Sequence, residues 1–208
     1  YCGYNFCFWR FLFFVMEPLR YKTASPSGDL ISFLAGIKQV WMDTGRKGIV
    51  YHRLNMNGGS YDGAIPAYKD SDDNVVCFNQ YCFDMMRPLM LSLPYIEDYL
   101  VFEGQPHEID FDKVRMETFT NQPLGSLNRW INYVFPEMAS DLSRKWIEIP
   151  RGITSKYSDR IIINFTQRHR HTFINYFFLQ QYQDKVIFAG LQKERDIFCK
   201  EFNLDIPL

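Results

Sequence analysis

At 208 residues, with 47% apolar and 17% aromatic content, the chain is long enough for one generous domain or for one full domain plus part of another, and we read it as the second. A formal net charge of −1 excludes a global attraction to nucleic acid or to an anionic membrane, so any phosphate binding has to be local. The five cysteines, Cys2, Cys7, Cys77, Cys82 and Cys199, are too few and too unevenly spaced for a disulfide framework, and no CxxC pair has a matching His for zinc; they read as reduced, mostly buried thiols of a cytosolic protein.

Residues 1–15, YCGYNFCFWRFLFFV, fall short of the roughly 20 apolar residues a membrane span needs and carry Arg10 in their middle. They lack the basic start and small-residue cleavage site of a secretory signal, so we expect a detached or non-native leader ahead of Met16, with an interfacial anchor as the competing reading. Leu19 to Ala24 then reads as a first strand. The polar turn Ser25-Pro26-Ser27-Gly28-Asp29 passes into a helix marked by Leu30, Leu34, Ile37 and Trp41 and closed near Thr44-Gly45. Gly28 lets the backbone turn or approach a ligand, and Ser27 or Asp29 can cap the first amides of the helix. Such a helix start favours anions, phosphate above all. Gly36, unfavourable in a helix by roughly 1 kcal/mol against Ala, is expected where the helix presses on a sheet.

Gly48 to Leu54 is of strand type, which completes a β-α-β unit and implies a parallel sheet. Asn55 to Asn74 is a long polar loop of turn formers. A short strand is expected at Val75 to Phe78, and a helix from Tyr81 to Leu93 broken at Pro88, with a second short helix beginning near Leu93-Pro94. Tyr99 to Phe102 reads as a strand, Ile109 to Arg115 as acidic and extended, and Asn121 to Ala139 as a helical region with Leu127, Trp130, Ile131 and Val134 on one face, stopping at Pro136. Leu142 to Pro150 reads as a hinge anchored by Trp146 and Ile147. A boundary there gives domains of 16–150 and 151–208.

From Asp159 the pattern restarts. Arg160 to Phe165 is a buried-type strand, Thr166 to His171 a basic loop, Thr172 to Tyr182 a helix, Lys185 to Ala189 a strand, and Gly190 the entry to a helix over Leu191 to Phe202. Two strand-loop-helix units in one chain define an α/β protein: a Rossmann-like parallel sheet followed by the beginning of a second Rossmann-like half, with a cleft between them. His52, His107, His169 and His171 show no metal-ligand spacing, and neither a P-loop nor a GxSxG motif is present.

The runs SGDLISFLAGIKQV (Ser27 to Val40) and IIINFTQRHRH followed by VIFAGLQKE resemble glycosyltransferases of the two-Rossmann-domain GT-B type, closest to the heptosyltransferase-like group. The resemblance covers about residues 19–208. It implies a metal-independent, cofactor-free transferase moving a sugar from a nucleotide-sugar donor to a hydroxyl acceptor. It makes Asp29 the general base, Ser27 and Gly28 substrate contacts, Thr166, Arg168 and Arg170 the grip on the donor diphosphate, and Glu194 a further donor contact. Helix capping by Asp29 and a solvated surface for the basic loop and Glu194 stand beside those roles. Family members run well beyond two strands in their second half, so the chain is expected to be a C-terminally truncated fragment or a shortened relative. A non-catalytic nucleotide- or sugar-binding module and a structural protein retaining the fold are the alternative functions.

Overall fold

A computed structural model of the protein describes residues 16–57, 68–116, 125–148, 156–166 and 173–208. The leader 1–15, Gly58 and Gly59 of the polar loop, and Arg168 and Arg170 of the basic loop lie outside the described residues.

The first unit is built on β1 (Leu19–Thr23), α1 (Ser27–Thr44) and β2 (Gly48–His52). β1 and β2 pair in parallel over their whole length, from Leu19 against Gly48 to Thr23 against His52. α1 buries Leu30, Phe33, Leu34, Ile37 and Val40 against them, and the helix stops where Gly45 takes φ 74° and its N–H donates to the Trp41 carbonyl at 2.8 Å. The start differs from expectation: Pro26 is the N-cap residue and no side chain among the described residues caps the helix, because Ser27 already lies inside it. The two glycine contacts also divide differently. A Cβ on Gly48 would come within 2.9 Å of both Ile37 and Tyr21, so the close approach of α1 to the sheet is at Gly48. Gly36 instead faces Met138, which lies in the 3₁₀ turn Pro136–Met138 that packs on α1.

α2 (Gln80–Ser92) begins at Asn79, whose side chain accepts the Cys82 N–H at 3.1 Å. Pro88 does not break it. Pro88 lies on the exposed face, where water can take up the carbonyl that loses its partner. No second helix follows. β3 (Ile96–Val101) starts at once and pairs in parallel with β2, because Tyr95, Ile96 and Tyr99 are drawn into the same core as α2. The expected strand at 75–78 is reduced to two isolated antiparallel bridges, Asn57 with Val76 and Lys69 with Val75.

β4 (Ile109–Asp110) is parallel to β1 on its far side, giving the strand order β3-β2-β1-β4. Residues 102–108 make the connection without a crossover helix. They carry the Phe102 ring to 5.9 Å from the Lys22 ammonium and bring the Glu108 N–H to the Arg20 carbonyl at 2.9 Å. Acidic and apolar residues alternate through Glu108, Ile109, Asp110, Phe111 and Asp112, so a strand sends the two kinds to opposite faces. Phe111 stacks on Phe33 at 4.3 Å and on Tyr21 at 5.4 Å. The acids meet β1's cations: Glu108 with Arg20 at 3.0 Å, and Asp110 and Asp112 with Lys22 at 3.1 and 2.6 Å. The segment expected to stay extended through Arg115 turns after Asp110 into α3 (Lys113–Met116), which packs against α4 (Leu127–Val134). Trp146 and Ile147 pack on this core. The Trp146 indole N–H donates to the Ile31 carbonyl at 3.1 Å, and its carbonyl accepts from the Tyr95 hydroxyl.

The second unit pairs β5 (Ile161–Ile163) and β6 (Val186–Phe188) in parallel, followed by α5 (Gln192–Phe202). β5 is not buried on both faces, since Ile162 is 55% exposed. Between the strands stands a 3₁₀ helix, Phe177–Tyr182, in place of the longer helix expected from residue 172. The Asn175 side chain accepts the Phe177 N–H at 2.9 Å, a local turn that delays the helix start. After α5 the chain turns at Asn203 (φ 49°) and Pro207 accepts the Phe188 N–H at 2.9 Å, beside β6. Each unit has its own cluster of buried residues: Phe165, Leu179, Val186, Phe188, Phe198, Phe202, Leu204 and Ile206 form the second.

Replacing Lys22 with Met leaves Asp110 and Asp112, both largely covered, without their shared cation. The substitution should cost about 3 kcal/mol, the lower end of what stripping one partner from a buried ion pair costs. Urea unfolding followed by tryptophan fluorescence measures it; an unchanged midpoint would assign the β4 register to Phe111 packing alone.

Candidate functional site at the carboxyl ends of β1 and β4

From β1 the chain leaves through α1 toward β2, while β4 lies on the opposite side. The loop Ala24–Pro26, the first turn of α1 and residues 111–115 meet beyond the carboxyl ends of β1 and β4, joined by the Ala24–Asp112 and Asp29–Arg115 contacts. Thr23 and Ser25 are buried there, and the Asp112 carboxylate fixes the loop by accepting the Ala24 N–H at 2.7 Å.

Ser27, Gly28 and Asp29 stand together in the first turn of α1. Gly28 is exposed, and a Cβ built on it meets nothing within 4 Å. Neither a turn nor crowding within the chain therefore demands glycine there. Asp29 does not cap the helix by a side-chain bond. Its Oδ2 receives the Arg115 Nε–H at 2.9 Å and the Nη2–H as well, and the Arg115 guanidinium lies 5.7 Å from the Trp130 ring centroid. Asp29 is largely covered by this pairing while Arg115 stays half exposed. The spacing of residues gave no hint of Arg115; its signal was the basic pair that follows the acid/apolar alternation.

His52 ends β2 and is fully buried. Its ring stacks on Phe78 at 3.9 Å, and Nδ1 lies 2.8 Å from the Tyr99 hydroxyl. Nε2 has no hydrogen-bond partner among the described residues. Burial pulls its pKa down to about 4, opposed by the backbone of Ser25.

In the second unit, Thr166 follows β5 and Glu194 follows β6, so both lie beyond the carboxyl ends of their strands. Glu194 is not a surface residue. It is buried in the first turn of α5, where its carboxylate accepts the Leu191 N–H over a long 3.4 Å. The Tyr68 phenol is pushed up to about 12, first by burial, then by Cys82, and to a lesser degree by Tyr81 and Glu194. Among the described residues no group of three or more His, Cys, Asp or Glu is placed to hold a metal ion. No helix among them is long and apolar enough to cross a membrane.

This arrangement defines a mixed α/β protein with a four-stranded parallel sheet, consistent with a Rossmann-like fold. No protein-family model, curated protein or solved structure matches the chain.

A histidine kept neutral by burial makes stability depend on pH in a definite direction. Between pH 6.5 and about 4 the unfolded chain binds the proton that folded His52 refuses, so its contribution is complete above 6.5 and is lost as pH falls toward 4. Going from pH 7 to 4.5 should cost the wild type about 2–3 kcal/mol more than His52→Gln, read from urea unfolding at both pH values. Equal losses in the two proteins would show that His52 is not the titrating group.

Proposed function

We propose that the protein is a GT-B-like glycosyltransferase of heptosyltransferase-like type, moving a sugar from a nucleotide-activated donor to an acceptor hydroxyl. The observation that carries this reading is the succession of two parallel units, a β-α-β unit and then a parallel strand pair with a 3₁₀ helix between its strands, with Asp29 just beyond the carboxyl end of its strand in the first and Thr166 and Glu194 in the second. In this reading the acceptor lies beyond the carboxyl ends of β1 and β4 in the first unit. Both Arg115 bonds go to one oxygen of Asp29, so Oδ1 is left to accept the proton of an acceptor hydroxyl as that oxygen attacks the sugar's anomeric carbon. The bond from that carbon to the donor phosphate breaks, and the nucleoside diphosphate departs. The loop with Thr166, Arg168 and Arg170 would take up the charge that develops on it, without a metal.

A non-catalytic nucleotide- or sugar-binding module is the second reading. The Arg115 pairing favours it, since the guanidinium competes with any acceptor hydroxyl for the Asp29 carboxylate.

Calorimetric titration of nucleoside diphosphates and their sugars should show binding that weakens at least about tenfold in Arg168→Ala or Arg170→Ala, the loss of one charge-assisted contact. Asp29→Asn, which keeps shape but removes the proton acceptor, should abolish sugar transfer while leaving donor binding intact. Binding without transfer in the wild type selects the module, and no nucleotide binding at all defeats both readings.

A further inference from the structure

We infer that β5 is a docking edge, and that the strand it takes is β5 of a second copy of this chain, paired antiparallel about a two-fold axis at Ile162. This contact is independent of the proposed sugar transfer.

Across a trans peptide the C=O of one residue and the N–H of the next point opposite ways, so the bonds β5 makes to β6 fix where its remaining groups face. Ile161 donates to the Lys185 carbonyl at 2.9 Å and Ile163 accepts the Ala189 N–H at 2.7 Å, within the parallel register of Ile161 with Val186 and Ile163 with Phe188. The Ile162 N–H and C=O, the Arg160 C=O and the Asn164 N–H therefore face the opposite edge, where they meet no partner among the described residues. Other edges of the molecule are covered. β6 gives its outer side to the Pro207 carbonyl, which accepts from Phe188 at 2.9 Å. On β3, the edge strand of the first sheet, the Asp98 carboxylate folds back onto the Tyr99 N–H at 2.8 Å and the Gln105 amide donates to the Val101 carbonyl at 3.2 Å. β5 has no such device. It presents three isoleucines without Pro or charge, in a two-stranded parallel sheet, and strands so paired are stable when further strands and both faces are covered. Ile162 is half exposed, and Ile161 and Ile163 are only partly covered.

The two-fold register fits a second copy. With Ile162 opposite Ile162, the two residues exchange both backbone bonds, and each Asn164 N–H reaches the Arg160 carbonyl of the other copy. Ile161 then lies against Ile163 on the core face, while the two Ile162 side chains meet on the other. Beside them each Arg160 guanidinium faces the Asn164 side chain of the other copy, whose Nδ2 is spent on the Ala189 carbonyl and whose oxygen is left to accept. Cation thus meets acceptor and no like charges oppose. Because β6's outer edge is already occupied, the pairing closes at a dimer with sheet order β6-β5-β5-β6.

Sedimentation equilibrium of the whole chain, with backbone amide exchange followed by NMR at low and high protein concentration, tests this. Dimerisation should slow exchange at Ile162 and Asn164, whereas the Ile161 and Ile163 amides should be protected at every concentration. Ile162→Lys sets like charges together at the two-fold, and Ile162→Pro removes a donor that no bond within the chain uses. Each should raise the dimer dissociation constant at least about tenfold while leaving the urea midpoint near that of the wild type. Second-copy pairing is overturned by a chain that stays monomeric, by a dimer that both variants leave intact, or by a dimer in which the Ile162 amide still exchanges freely. Slow exchange at Ile162 that does not depend on concentration also overturns it, since a segment of the same chain would then hold the edge.

Discussion

The ion pairs between β1 and the segment Glu108–Asp112 are the constraint on which the first unit depends. β4 is only two residues long and meets β1 through two residue pairs, too little ladder to hold a register by backbone bonds alone. Three acids spaced two apart, facing two cations spaced two apart, supply what the backbone lacks. A slip of one residue would turn the acids into the aromatic core and Phe111 into water, so both faces reject it. With β4 fixed on β1's far side the sheet acquires its switch point, and Asp112 then ties down the loop that leads into α1. The Arg20–Glu108 pair is exposed and contributes little by itself; Lys22, covered and shared by two carboxylates, is the stronger restraint.

The connection over residues 102–108 follows from the same ladder. A doubly wound sheet usually returns from its third strand to its fourth through a helix on the second face. Here an extended strap makes the journey, and its end is held by Glu108 rather than by a packed helix. The helices therefore gather on one face, where α1, α2 and α4 share a single aromatic core with Tyr21, Tyr99 and Phe111. Gly48 is the point of closest approach in that layer, and any side chain there would push α1 off the sheet through Ile37.

The two halves use their charges differently at their strand ends. In the first, Asp29 is matched by a long-range arginine and the helix start is left uncapped. In the second, Glu194 turns back on its own helix start and is buried there. The acid at one helix start is drawn away to a distant partner, while the acid at the other satisfies its own helix start.

Much of the backbone was legible from the residues alone. The periodicity of Leu30, Leu34 and Ile37, the Gly45 stop, and the strand-type runs at 48–54 and 185–189 locate α1, β2 and β6, because burial of one face imposes a period on the sequence. Local rules failed where exposure, burial or a competing local bond outweighed them. Pro88 was tolerated because its face is exposed, Leu93–Ile96 became a strand entry because Tyr95 and Tyr99 had a core to fill, and Asn175 shortened the helix before β6. Asp29 could be singled out by its place at a helix start, but its partner, 86 residues away, could not. The sequence by itself determined the strands and helix of the β1-α1-β2 unit, β6 and α5, and that the first two strands run parallel. The tertiary structure alone decided that β4 returns beside β1, that Arg115 meets Asp29 and that His52 is buried against Phe78 and Tyr99, because those pairings are set by which distant segments share a face, and period and propensity carry no record of that.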